Sequence, residues 1–126
     1  MSAKEEILKL TKLWMEIVCL DHHKDRDCHW SISETWSYGD KPYWEVSHYG
    51  YVFAERSIKC KTYEEAQEKL IAVIKEAFAY QVDWAELVMK DPKEWDSDQI
   101  KIAEIIIKKL KPELEKKNWK RLILQN

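Results

Sequence analysis

The sequence predicts an α+β fold in a single domain spanning residues 1–126. One helix precedes a three-stranded antiparallel β-meander, and two or three C-terminal helices follow, in the order α-β-β-β-α-α. Three observations predict this. Apolar residues recur at three- and four-residue steps near the start and again through the second half. Between those regions they alternate in steps of two. The joints between the alternating runs are too short for crossovers, so neighbouring strands must run antiparallel.

The first helix is expected from about Ala3 to Leu20. Ile7, Leu10, Leu13, Trp14, Ile17 and Val18 make one apolar stripe, and Ser2 is placed to cap the start. The first strand is expected from Cys28 to about Ser37. Cys28, Trp30, Ile32 and Trp36 fall on one face, with Glu34 interrupting, and His29, Ser31, Ser33 and Thr35 on the other. Tyr38-Gly39-Asp40-Lys41-Pro42 has the chemistry of a turn. Tyr43 to Tyr49 is the second strand, with Trp44, Val46 and His48 inward. Gly50 permits a tight reversal. Tyr51 to about Lys61 is the third strand, with Val52, Ala54, Ile58 and Cys60 inward.

Thr62-Tyr63-Glu64-Glu65 has the spacing of a capping box, in which hydroxyl and carboxylate each satisfy an amide of the other residue. A long helix follows, with Ala66, Leu70, Val73, Ile74, Ala77, Gln81, Trp84 and Val88 on its stripe. It should end near Lys90, because Asp91 precedes Pro92. A third helix starts near Ser97, capped by Asp96 or Ser97. Ile100, Ala103, Ile106, Ile107 and Leu110 form its stripe, and Pro112 is expected to kink or restart it. Glu113 to about Leu124 then reads as a last helical segment. The inner sheet face carrying Trp30, Trp44 and Val52 should pack on the first two helices.

Composition narrows the function classes. Apolar residues make up 45% and charged residues 35%, with seven Trp and six Tyr in 126 residues. Each buried aromatic removes about 150–250 Å² from water, so a few can build most of the core. A net charge of −2 gives no general attraction for nucleic acid. Charge is uneven along the chain. Glu76 to Asp98 holds seven acidic residues and two lysines, whereas Lys108 to Arg121 holds seven basic residues and two glutamates. That asymmetry fits either a solvated helix face or an attraction between surfaces. Cys19, Cys28 and Cys60 suit free thiols in a reducing compartment. With no signal-peptide pattern and no long apolar run, a cytoplasmic protein without a membrane partner is expected.

The segment Asp21-His22-His23-Lys24-Asp25-Arg26-Asp27-Cys28-His29 is the densest in chemistry: seven of its nine residues can ligate a metal or move a proton. A candidate metal set is His23, Asp27 and His29, with Cys28 or His22 as alternatives and His48 as a further donor from the second strand. His23 and Asp27 share a face only if the segment is helical, and Cys28 and His29 point to opposite faces of a strand. The cofactor expectation is therefore either none or a divalent transition metal. In the structural reading, the aspartates cap turns and pair with Lys24 and Arg26. Cys60, flanked by Lys59 and Lys61, is an alternative reactive thiol or an inert buried one.

The outward sheet face is the second candidate. His29, Ser31, Ser33, Tyr43, Glu45, Tyr49, Tyr51 and Phe53 fall there on simple alternation. Tyr43, Tyr49, Tyr51 and Phe53 are the partner-binding candidates, either exposed for a protein or ligand or covered by helices as ordinary core. Ile105, Ile106 and Ile107 in a row make the third helix apolar on two sides, which asks for two partners, the domain core and possibly a second subunit.

The helix–three strands–helix order resembles the double-stranded-RNA-binding domain in element order, over about two-thirds of the chain. That family opens its last helix with lysines. Here Thr62-Tyr63-Glu64-Glu65-Ala66 brings two carboxylates to that place, so the resemblance implies no RNA function. The functional expectation is a small binding or regulatory protein that works through its sheet face and helical surface. Its expected partner is a protein or a second copy of itself. The alternative is a small metal-dependent hydrolase, with Asp25 or His48 as base toward a metal-bound water.

Overall fold

The computed structural model describes residues 2–20, 29–36, 39, 41–50 and 53–115. Its elements are α1 (Ala3–Leu20), β1 (His29–Thr35), β2 (Tyr43–Gly50), β3 (Phe53–Cys60), α2 (Tyr63–Lys90), a 3-10 turn (Pro92–Glu94) and α3 (Ser97–Leu114). The order and the antiparallel meander β1-β2-β3 are those the sequence predicts. Three strand ends differ, β2 running one residue further, through Gly50. β1 stops at Thr35, where the ladder ends at the Thr35–Tyr43 pair, and Trp36 beyond it is 73% exposed. β3 ends at Cys60, which hands over directly to the cap of α2.

Each helix starts on a side chain that satisfies an otherwise orphaned amide. The Glu5 amide donates to the Ser2 hydroxyl at 3.2 Å. The Glu65 amide donates to the Thr62 hydroxyl at 3.1 Å. The return arm of that box lands one residue early, because the Glu65 carboxylate accepts from the Lys61 amide at 3.2 Å. Asp96, not Ser97, caps α3. Its carboxylate accepts from the Gln99 amide at 2.8 Å, and the Gln99 side chain accepts from the Asp96 amide at 3.2 Å. Pro112 does not restart α3, which runs unbroken to Leu114. It sits in the final turn, where losing one backbone bond matters least, and the Glu115 amide still donates to the Lys111 carbonyl. Of the expected last helical segment, only the first residues belong to α3. Residues 116–126 lie outside the described residues.

The core is organised around α2, which contacts all three strands, α1, α3 and the Pro92–Glu94 turn. Val73 to Ala79 are buried without a break. Seven consecutive residues cover almost two turns, so this part of the helix has no solvent face. Leu10, Trp14 and Ile17 reach it from α1, Val46 and Cys60 from the sheet, and Ala103, Ile106 and Leu110 from α3. Ile105 and Ile107 also pack partly buried against this core, so both apolar sides of α3 are used within the chain.

Aromatic rings join the elements. Trp14 of α1 stacks on Phe78 of α2, with centroids 6.1 Å apart and planes 6° from parallel, and meets Trp30 of β1 edge-on at 6.1 Å. The Trp30 indole N–H donates to the Thr11 hydroxyl at 3.2 Å, which fixes β1 to α1. Trp44 of β2 lies 4.7 Å from the Tyr63 ring at the start of α2. Trp84 and Trp95 hold the turn after α2 against its last turns, 6.0 Å apart and nearly perpendicular.

The uneven charge is partly spent inside the molecule. Lys111 of α3 pairs with Glu86 of α2 at 3.2 Å, and Lys109 pairs with Glu16 of α1 at 2.8 Å. Two further pairs lie deeper. Lys9 meets Glu113 at 3.2 Å, and Lys75, whose side chain is 6% exposed, meets Glu6 at 3.7 Å.

Candidate functional site

The sheet has two unlike faces. Pairing is in register along β1–β2, so odd-numbered residues share one face and even-numbered residues the other. The even-numbered face turns to the helices. Val46, His48 and Cys60 are buried there, and Trp30, Ile32, Trp44 and Ile58 are partly buried. The odd-numbered face is open: His29, Ser31, Ser33, Ser57 and Lys59 are exposed, while Thr35, Tyr43, Glu45 and Ser47 are half-buried.

Rows across the strands give this open face its chemistry. Ser31, Ser47 and Ser57 stand directly opposite one another, which makes a row of three small hydroxyls through the middle of the face. The next row is Ser33, Glu45 and Lys59. The Ser47 hydroxyl donates to Glu45 Oε1 at 3.4 Å, and the Ser57 hydroxyl donates to the same oxygen. Glu45 is thus held between two serines as an acceptor. The Lys59 ammonium lies 4.9 Å from the centroid of the Tyr43 ring, a cation–π distance. Among the described side chains, the centre of this face carries the Glu45 acid, the Lys59 base, the Tyr43 ring and a run of small hydroxyls.

The candidate partner-binding residues divide accordingly. Tyr43 lies on the open face as expected. Tyr49 belongs to β2 opposite His29, and Phe53 opens β3 opposite Gly50. The β2–β3 register shifts between His48 and Gly50, so the alternation used to place Phe53 outward does not run unbroken to it. Tyr51 lies outside the described residues. Among the described residues, the face is therefore richer in hydroxyls than in aromatics. The serine row was legible in the alternation, but its alignment depended on register, which one sequence does not supply.

The candidate metal set is only partly in view. His23 and Asp27, with Asp21 to Cys28 as a whole, lie outside the described residues. His29 is the first residue of β1 and exposed on the open face. His48 is 5% exposed on the opposite face, in register with Trp30, so the sheet separates it from His29. Among the described residues, no three His, Cys, Asp or Glu side chains are gathered as an ion would need. Cys60 is 2% exposed in the core, and burial pushes its thiol pKa up, Glu65 adding to the rise and Lys69 opposing it. The flanking lysines do not make it a nucleophile: Lys59 points to the other side of the sheet.

Elsewhere, an open groove of about 480 Å³ runs along α1, lined by Glu5, Leu8, Lys9, Lys12, Leu13 and Glu16. Its polar groups are the acids and lysines of a single helix face, and two of them are already paired, Lys9 with Glu113 and Glu16 with Lys109. Among the described residues, no helix is long and apolar enough to cross a membrane. Comparison of the chain with protein-family models, with curated proteins and with solved structures gives no match.

Proposed function

We propose that this chain is a small binding protein that works by self-association, with its sheet as the meeting surface. One observation carries the reading: helices cover one face of the sheet, while the other presents an exposed, ordered row of hydroxyls beside an acid and a base. A second copy suits this surface because Glu45 and Lys59 give it both signs of charge, so a two-fold partner meets no single-sign field. The serines leave no bulky side chain in the way.

Sedimentation equilibrium of the full chain over a wide range of concentration tests the reading. A monomer–dimer equilibrium is expected, and it should strengthen as salt weakens the repulsion expected from the net negative charge. A monomer at every concentration would refute the reading.

A further inference from the structure

The dimer geometry can be read from the edges of the sheet, given the self-association reading on which this inference rests. In the order β1-β2-β3 both outer strands are edges. An edge offers a row of backbone donors and acceptors to any matching strand, and proteins blunt it with Lys, Arg, Pro, bulges or inward charges. β3 carries such devices: Glu55, Arg56 and Lys59 lie within its eight residues, and its ladder with β2 shifts register. β1 carries almost none. Its sequence is His29-Trp30-Ser31-Ile32-Ser33-Glu34-Thr35, with one formal charge and no Lys, Arg or Pro. All seven residues pair with β2 without interruption. None of them is buried, whereas β2 beside it holds buried Val46 and His48. Among the described residues, no further strand pairs with its outer edge.

β1 is also complementary to itself. Antiparallel pairing about a two-fold axis at Ile32 uses the whole strand. It sets His29 opposite Thr35 of the second copy, Trp30 opposite Glu34, Ser31 opposite Ser33, and Ile32 opposite Ile32. Opposed residues in an antiparallel pair share a face, and here every pair matches: hydroxyls and imidazole on the open face, apolar groups and Glu34 on the helix-covered face. The single charge, Glu34, meets an indole and never its own copy. Moving the axis by one residue to Ser31 or Ser33 leaves two residues of each strand unpaired.

We infer that the outer edge of β1 joins the same edge of a second copy, antiparallel about Ile32, so that two three-stranded sheets become one continuous sheet. The Ser31–Ser47–Ser57 row of each copy then meets the Ser33–Glu45–Lys59 row of the other across the joint, and the open face doubles in width.

Paired charge substitutions at Ser31 and Ser33 test this, since both side chains are exposed and lie opposite each other only in the inferred register. Ser31→Lys with Ser33→Lys brings lysine against lysine twice per dimer. The dimer dissociation constant should rise about tenfold or more. Ser31→Lys with Ser33→Glu has similar bulk and sets lysine against glutamate twice, so it should return the constant to near the wild-type value. Lys101→Glu, exposed on α3, should leave it unchanged, whereas Ser57→Lys, on the open face at the far strand, reads whether the copies meet face to face. Circular dichroism and a thermal melt check that each variant is folded. Hydrogen exchange on the wild-type chain gives the same test without substitution: alternate amides of β1 should gain protection at high concentration.

The outcomes separate cleanly. A wild-type chain that never dimerises removes the self-association reading and this inference with it. A wild-type dimer that dissociates with Ser57→Lys but survives the double lysine is a face-to-face dimer. That result overturns the edge geometry and leaves self-association standing. Equal weakening by the Lys/Lys and Lys/Glu pairs would overturn the antiparallel register about Ile32.

Discussion

The pair between Lys75 and Glu6 predicts an asymmetry that a simple count of ion pairs misses. The two groups are 3.7 Å apart, yet the Lys75 side chain is 6% exposed and that of Glu6 is 29% exposed. At that distance their attraction is about 1 kcal/mol at the dielectric constant of water and about 4 kcal/mol at an effective value near 20. Desolvation offsets much of this, and mostly on the lysine side. Removing Glu6 leaves an ammonium buried without its counter-charge. Removing Lys75 leaves a carboxylate that water already reaches. Glu6→Gln should therefore cost about 2 kcal/mol, and Lys75→Met less than about 1 kcal/mol, because methionine fills much of the same volume with apolar atoms. Glu6 also lies in the first turn of α1, where the helix dipole favours an acid by about 0.3–1 kcal/mol. Glu5→Gln, in the same turn, measures that part alone. Urea unfolding of the three variants and of the Glu6→Gln/Lys75→Met double variant gives the cycle. Lys75→Met costing as much as Glu6→Gln, after the Glu5→Gln correction, would refute the argument that burial of the lysine sets the energy.

Three further outcomes follow from the packing and the caps. Phe78→Ala should cost about 3–5 kcal/mol in urea unfolding, since Phe78 is fully buried and stacked on Trp14, whereas Phe78→Leu should cost clearly less. Thr62→Ala should cost about 1 kcal/mol by loss of the bond from the Glu65 amide. Cys60 should tie stability to alkaline pH: its thiol pKa is raised in the folded chain, so the folded state holds the proton after the unfolded state has begun to release it. Stability from this group is fully present below the ordinary thiol pKa, about 8.5, and falls as pH rises from there toward the folded value. The wild-type unfolding free energy should therefore decline more steeply than that of Cys60→Ala above that pH, and an equal slope would count against the raised pKa. Disulfide-forming reagents should label Cys60 in the folded chain slowly and in urea rapidly.

Periodicity carried the architecture, because burial on one face is written directly into the spacing of apolar residues. α1 runs from Ala3 to Leu20 as the stripe from Ile7 to Ile17 requires, and α2 ends at Lys90, where Asp91 and Pro92 forbid more. What the spacing misses is how many sides of a helix are covered. On one stripe, Lys75 and Glu76 belong to the polar side of α2, yet both are buried, because the helix is enclosed by the sheet, α1 and α3 together. Nothing local in the sequence announces that third neighbour. The same holds for the Glu65 arm of the capping box. Its residue type and spacing are right, but whether a flexible carboxylate closes on Thr62 or Lys61 is decided by the path of the chain leaving β3.

The candidate surface depends on register in the same way. Ser31, Ser47 and Ser57 are unremarkable letters in three separate strands, and each is a common surface residue. They become one row only because β1–β2 and β2–β3 both align at Ser47. A slip of one residue in either ladder would turn a strand over and set serines against core side chains, so buried Val46 and its partly buried partner Ile32 enforce the alignment from the other face. The open face is thus specified by the core beneath it. A substitution such as Val46→Ser, which weakens that enforcement, should damage self-association together with stability. Ser31→Lys with Ser33→Lys should damage self-association alone. That separation makes the sheet edge testable as a working surface and distinguishes it from a mere consequence of folding.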